Sequence, residues 1–249
     1  MGKVKHMEKI AVVVLAFMLS ILGVSAADTF VSFNKGDMML CKKGETFTIV
    51  VSDNDNIAVK LAAKNLVNDL KAVVEANVSV ISDKSTKDAK IVIGTIGKSN
   101  AIDALVKEGK IDGNALKGKT EKYIITICNG NLVIAGSDRR GTIYGIYELS
   151  RQMGVSPWYY WMDVPVNKQE AIYVKNGVFT DGEPVVRYRG IFLNDEAPCL
   201  TTWVKNTFKP NYGGHEFYAK VFELILRLKG NYIWPAMWSW AFYADDPLN

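Results

Sequence analysis

The run Ile191-Phe192-Leu193 is apolar enough for a core strand, yet it stops at Asn194-Asp195-Glu196. Carboxylates at the end of a buried strand can bond hydroxyls and move protons, the work of a general acid or base. The plain alternative is a turn with solvated charges. Further along, Trp234 and Trp238 bracket Pro235-Ala236-Met237. Indole faces stack on the apolar faces of pyranose rings, so acids beside indoles on one rim would make a sugar pocket. Asp195 and Glu196 are the candidate catalytic residues. Asn194, Trp234, Trp238, Trp203 and Asp245 are the candidate substrate-binding residues. Trp203 is either a sugar platform or a packing residue of a lid. Asp245 and Asp246 before Pro247 also fit a plain surface turn.

A glycosidase of the two-carboxylate kind needs its pair about 5–9.5 Å apart across the scissile bond. Neighbours on an extended backbone point to opposite sides, so Asp195 and Glu196 are not that pair. One faces the pocket while the other braces the loop. If Phe192 points to the helices, Leu193 and Asp195 share the inward face, which favours Asp195. Arg187 and Arg189 share a face across Tyr188. They either meet an acid at the rim or form a salt bridge at the bottom of the strand, and their early position favours the bottom. His215, the only histidine beyond His6, sits at a helix start and reads as a capping or surface group rather than a base.

These residues need elements to hold them. Arg187–Leu193 reads as a strand, and 194–214 as a long loop of the kind that carries function. A helix follows from His215 to Lys229, with Phe217, Val221, Phe222, Leu224, Ile225 and Leu228 on one face and Gly230 at the C′ position. Asn231–Trp238 is the next strand and its exit. Strand, helix, strand with a short helix-to-strand link implies a parallel βαβ unit. In a (β/α)8 barrel, catalytic groups sit at the C-terminal ends of strands, and the two candidate clusters share that rim.

Residues 27–183 read as a separate α/β sandwich. Thr46–Ser52 and Lys90–Gly97 are strand-like, and Ile57, Leu61, Leu66, Leu70 and Val73 form a helical stripe after four potential caps at 53–56. Ser99 and Asn100 can cap a short helix over 101–108. Asn129-Gly130 between two β-rich runs signals a hairpin, and a helix after Arg139-Arg140 ends at Gly154. That basic pair either faces an acidic ligand or the neighbouring domain or is a solvated helix start, and the last is the favoured reading. Gly94 and Gly97 lack the remaining features of a dinucleotide fingerprint. All six Trp lie beyond residue 157, and the aromatic block 158–161 reads as a connector packed on the unit that follows. The boundary falls near Glu183-Pro184, leaving 184–249 as the start of a barrel.

Residues 1–26 have a basic start, an apolar stretch and Val24-Ser25-Ala26 before Ala27, the form of a cleaved secretory signal. The expected location is secreted or periplasmic, without membrane attachment once the signal is removed. The leader holds three lysines and one glutamate, so the chain's net +4 moves toward neutral without it. No basic cluster points to nucleic acid. Cys41, Cys128 and Cys199 give neither a disulfide framework nor a zinc spacing; no cofactor is expected.

The stretches RYRGIFLNDE, FELILRLKGNYIWPAMW and AFYADDP resemble the start of the barrel in glycoside hydrolase family 115. SDRRGTIYGIYELSRQMGVSPWYYWMDVP resembles the end of the domain before it. The resemblance implies a xylan α-1,2-glucuronidase that removes glucuronic acid or its 4-O-methyl ether with inversion, without a metal as chemical agent. The partner it implies is xylan or a glucuronoxylan oligosaccharide, and it leaves a homodimer of the full-length protein open. A barrel needs about 250 residues, so the chain reads as an N-terminal fragment, itself inactive, with most catalytic acids expected beyond Asn249. A non-catalytic carbohydrate-binding module and another exo-glycosidase barrel are the alternatives.

Overall fold

A computed structural model describes residues 29–83, 88–194, 198–208, 213–235, 242, 246 and 248. The leader at 1–26 and Asp195, Glu196, Trp238 and Asp245 lie outside the described residues. In chain order the elements are β1 (Val31–Ser32), β2 (Met38–Lys42), β3 (Thr46–Val51), α1 (Ile57–Val74), β4 (Asn77–Ile81), β5 (Ala89–Thr95), α2 (Asn100–Lys107), β6 (Tyr123–Cys128), β7 (Asn131–Gly136), α3 (Arg139–Gln152), β8 (Ala171–Val174), β9 (Val178–Phe179), β10 (Gly190–Phe192), α4 (Cys199–Phe208), α5 (His215–Arg227) and β11 (Tyr232–Trp234).

The fold is mixed α/β. Six strands form one sheet in the order β4-β3-β5-β7-β6-β9. Its first four members run parallel, and β6 runs antiparallel to both neighbours. β3 and β5 are rich in Ile and Val, as strands covered on both faces must be. Ile49, Val51, Ile91, Ile93 and Ile134 pack with α1 and α3 on one face. Val50, Val92, Val133 and Ala135 pack with Ile102 of α2 on the other. A smaller sheet, β1-β8-β2, adds Leu40, Cys41, Ile172 and Val174 to the first core.

Local chemistry sets the boundaries. Asn56, Ser99 and Asp138 cap α1, α2 and α3 by accepting from Ala58, Ile102 and Gly141 N–H groups. Asn129 and Gly130 take φ of 53° and 76°, the left-handed pair that a two-residue type I′ hairpin requires. Asp55, buried, accepts from the Thr95 N–H at 2.7 Å and the Thr95 hydroxyl at 3.0 Å, which ties the ends of β3 and β5 together. The stripe expected on α1 is only partly inward. Ile57 and Leu61 are exposed, and Val59, Ala62, Ala63, Leu66, Leu70 and Val73 are buried.

Beyond β9 the chain builds a strand–helix–strand unit. β10 and β11 are parallel, and α4 and α5 lie between them in sequence. α5 ends in a Schellman turn: the Gly230 N–H donates to Ile225 O at 2.7 Å and the Lys229 N–H to Leu226 O at 3.0 Å. Lys229, with φ 57°, holds the left-handed C′ position expected for Gly230. Gly230 is needed one place later, where a Cβ would lie 2.8 Å from Ile225 Cγ2 and 2.9 Å from Arg189 O.

Candidate active site

The short strands β10 and β11 position the strand-end cluster. Their register pairs Gly190 with Tyr232, Ile191 with Ile233 and Phe192 with Trp234. The Leu193 N–H continues the ladder by donating to Trp234 O at 2.9 Å. Gly190 makes the close pairing feasible, because a Cβ there would fall 1.7 Å from Tyr232 O. Side chains alternate along each strand. Ile191, Leu193 and Ile233 pack on Val204, Phe217, Tyr218, Val221 and Ile225 beneath. Phe192 and Trp234 therefore face the opposite, open side, where they are 50% and 54% exposed. Their rings meet edge-on with centroids 5.8 Å apart, and Tyr188 meets Tyr232 likewise at 6.1 Å.

This arrangement corrects one step of the sequence reasoning. Phe192 does not point to the helices; Leu193 does, because the apolar partners lie under Ile191 and Leu193. The parity that favoured Asp195 over Glu196 loses its premise. Asn194 is exposed at the end of β10, two residues after Phe192. The open face thus presents an edge-to-face aromatic pair leading to an amide, and the backbone then enters the two candidate acids. Such a face can stack on a sugar ring and bond its hydroxyls.

The segment 194–214, expected to be loop, contains helix α4. Leu200, Val204 and Phe208 recur at four-residue spacing and join the cluster under the strands, a helical signal that reasoning from loop length overlooked. Trp203 lies on this helix. Its ring packs against Trp161 at 5.6 Å and Phe208 at 5.8 Å, yet it stays 41% exposed. Both partners belong to the helix-side cluster, so Trp203 and Trp234 serve different sides of the strand pair. Trp161 also packs edge-on to Phe217 at 6.2 Å, which docks the aromatic connector as expected.

At the start of α5 the sequence provides Gly214, which caps nothing with a side chain. Asp246 fills the gap from the far end of the chain. Its Oδ2 accepts from the His215 N–H at 2.9 Å and lies 2.5 Å from the ring Nδ1, and its Oδ1 accepts from the Leu248 N–H at 2.9 Å. Those two backbone N–H groups and the imidazole hold the Asp246 carboxyl down at about 2. The absence of a capping side chain before His215 was the signal for a distant partner, and nothing in the sequence said which of the tail acids it was.

The opposite ends of the strands are tied down by charge. Glu121, buried, receives Arg189 Nη2 at 2.5 Å, Arg140 Nη1 at 3.3 Å and Asn231 Nδ2 at 2.9 Å. Arg189 also donates to Lys229 O at 2.9 Å and Val186 O at 2.7 Å. Arg189 is therefore the bottom salt bridge, as its early place in the strand suggested. Arg140 pairs with the same buried acid rather than only with solvent. A second clamp joins α1 to α5: Arg227 donates to both Asp69 oxygens at 2.9 and 3.0 Å and to Glu223 at 2.8 Å. Its guanidinium lies between the rings of Tyr147 and Tyr159, 4.6 and 5.0 Å from their centroids. Burial opposes this charge, but Asp69 and Glu223 outweigh it and raise the Arg227 pKa. Among the described residues no helix is long and apolar enough to cross a membrane, and no group of three acidic, histidine or cysteine side chains could hold a metal ion.

Comparison with known proteins bears on these elements. The profile of Glycosyl hydrolase family 115 matches residues 181–249, the segment with the strand pair, and that of Glycosyl hydrolase family 67 N-terminus matches residues 37–149. No curated protein matches the sequence. The solved structure of BtGH115A, a family GH115 4-O-methyl-α-glucuronidase with specificity for decorated arabinogalactans, is 34% identical with a TM-score of 0.72. That alignment covers 84% of this chain and 28% of BtGH115A, so the chain spans little more than a quarter of that relative's length. A Streptomyces plicatus N-acetyl-β-hexosaminidase is 12% identical with a TM-score of 0.49, over 83% of this chain and 32% of its own, too distant to carry an argument. With its strand-end segment under one profile and most of its length aligned to one enzyme, the chain belongs to glycoside hydrolase family 115.

Proposed function

We propose that this chain is part of an exported enzyme that cleaves glucuronic acid or its 4-O-methyl ether from a decorated polysaccharide, with inversion at the anomeric carbon. The observation that carries the reading is the 34% identity, over 84% of the chain, to an enzyme described as a 4-O-methyl-α-glucuronidase. In this reading 27–183 is an α/β domain and 184–249 opens a (β/α)8 barrel, with β10 and β11 as neighbouring barrel strands. The open face of Phe192 and Trp234 then lines the interior, and Asn194, Asp195 and Glu196 stand at the catalytic rim.

The chemistry assigned to the rim is limited by spacing. Inversion needs one carboxyl to protonate the leaving oxygen and another, across a water, to activate it. Asp195 and Glu196, being adjacent, supply one of these roles or bind sugar hydroxyls, and the opposing carboxyl comes from another strand. Trp234, together with Trp238, provides the stacking surface. The backbone polysaccharide is glucuronoxylan in the first reading. Decorated arabinogalactan is the second, favoured by the specificity described for BtGH115A.

The test is uronate release by the intact protein from glucuronoxylan and from decorated arabinogalactan, compared with its Asp195→Asn and Glu196→Gln variants. The reading expects release from at least one polymer and a loss of at least about a hundredfold, the lower end of what a general acid or base contributes, in at least one variant. Unchanged rates in both variants remove the pair from the site. Binding to both polymers without release favours a carbohydrate-binding module instead.

A further inference from the structure

Resting on the uronosidase reading, we propose that His215, oriented by Asp246, is a specificity-determining contact that holds the polysaccharide main chain beside the scissile uronate. The carrying observation is the paired geometry. Asp246 Oδ2 lies 2.5 Å from His215 Nδ1 and also accepts the His215 backbone N–H at 2.9 Å. One ring nitrogen is committed to the carboxylate, so Nδ1 carries a proton and Nε2 is the nitrogen left to meet a ligand. The His215 side chain is 50% exposed while Asp246 is 17% exposed, so the acid supports and the imidazole is presented.

Position assigns the ligand. α5 begins at the same end of the unit as Asn194, because it runs back between the parallel strands β10 and β11, and Leu193 joins the cluster that holds Phe217 and Tyr218 of its first turns. Phe242 meets Tyr218 edge-on at 4.6 Å and brings the tail to that end. α5 nevertheless lies behind the strand pair, on the side of Ile191 and Ile233 and away from Phe192 and Trp234. A group at the start of α5 therefore stands outside the ring of strand ends. It can reach the main chain of a branched polymer, whereas the scissile sugar occupies the centre. Imidazole Nε2, the ring nitrogen not engaged by Asp246, can share a hydrogen bond with a sugar hydroxyl.

The experiment uses the intact protein and two variants. His215→Asn retains a donor toward Asp246 and removes Nε2, and His215→Gln places an amide near the Nε2 position. The readout is the ratio of kcat/KM on the decorated polymer to that on an aryl α-glucuronide, with thermal unfolding recorded for each variant. The expected result is a five- to tenfold fall of the ratio in His215→Asn and a smaller fall in His215→Gln, carried by KM. A wild-type ratio in His215→Asn with full uronate release overturns the proposal and leaves the function intact. If the wild type releases no uronate from any substrate, the function fails instead. The imidazole 15N shift of His215 Nε2 then decides the contact: movement on titration with glucuronoxylan or arabinogalactan oligosaccharide sustains it, and no movement overturns it.

Discussion

Removing Asp69 tests how firmly the strand-end unit is fixed to the larger sheet. The carboxylate and the Arg227 guanidinium form two bonds of 2.9 and 3.0 Å, with side chains only 6% and 3% exposed. Deleting one partner of such a pair costs about 3–5 kcal/mol, because the other charge stays buried without compensation. Glu223 still accepts from Arg227 Nε at 2.8 Å, so Asp69→Ala should fall at the lower end, about 3 kcal/mol. With a urea m-value of about 3 kcal/mol/M, the top of the small-protein range, the unfolding midpoint drops by about 1 M. The double variant Asp69→Leu/Arg227→Met removes both charges and should cost less than Asp69→Ala alone, since apolar replacement of a buried pair is often neutral. Circular dichroism against urea reads both. A midpoint within about 0.3 M of wild type for Asp69→Ala, or a double variant worse than either single, would refute the clamp.

Other predictions follow the same geometry. Burial pushes the Glu148 carboxyl up, but Arg151 and Lys229 outweigh it and hold it at about 2. Because the folded value lies below the ordinary 4.5, its stabilising share is full above pH 4.5 and is lost as pH falls toward 2; Glu148→Gln should flatten that acid limb, on the order of 3 kcal/mol. Gly190→Ala puts a methyl 1.7 Å from Tyr232 O and should destabilise by about 3 kcal/mol, the upper end for overpacking, read by thermal unfolding. Trp234→Ala removes the exposed ring of the open face and should raise KM about fivefold, from roughly 1 kcal/mol of lost stacking. An unchanged KM would take Trp234 out of the sugar path.

The strands of the sheet were legible because β3, β5, β6 and β7 are short runs rich in Ile, Val, Thr and aromatic residues between turn residues. The hairpin at Asn129-Gly130 was equally plain, and the caps were narrowed to 53–56 and to Ser99 or Asn100, of which Asn56 and Ser99 hold the place. β4, β8 and β9 are short or half-exposed and gave no such pattern. The site was legible only in outline. A strand ending in acids and a second ending in tryptophan could be placed on one rim, but which side chains face inward depends on what lies beneath. Three residues, Ile191, Leu193 and Ile233, find apolar partners there, and this reversed the inferred parity. The Asp69–Arg227 and Asp246–His215 pairs join residues 158 and 31 positions apart. No local pattern encodes such partners.

If the rim of Asn194, Asp195 and Glu196 belongs to an inverting uronosidase, the released sugar carries the stereochemical record. Proton NMR of the intact protein acting on glucuronoxylan or decorated arabinogalactan, recorded in the first minutes, reads the anomer of the sugar as it is released. The expected result is β-glucuronic acid or its 4-O-methyl ether appearing first and then mutarotating. First release of the α-anomer, or of a neutral sugar, would contradict it.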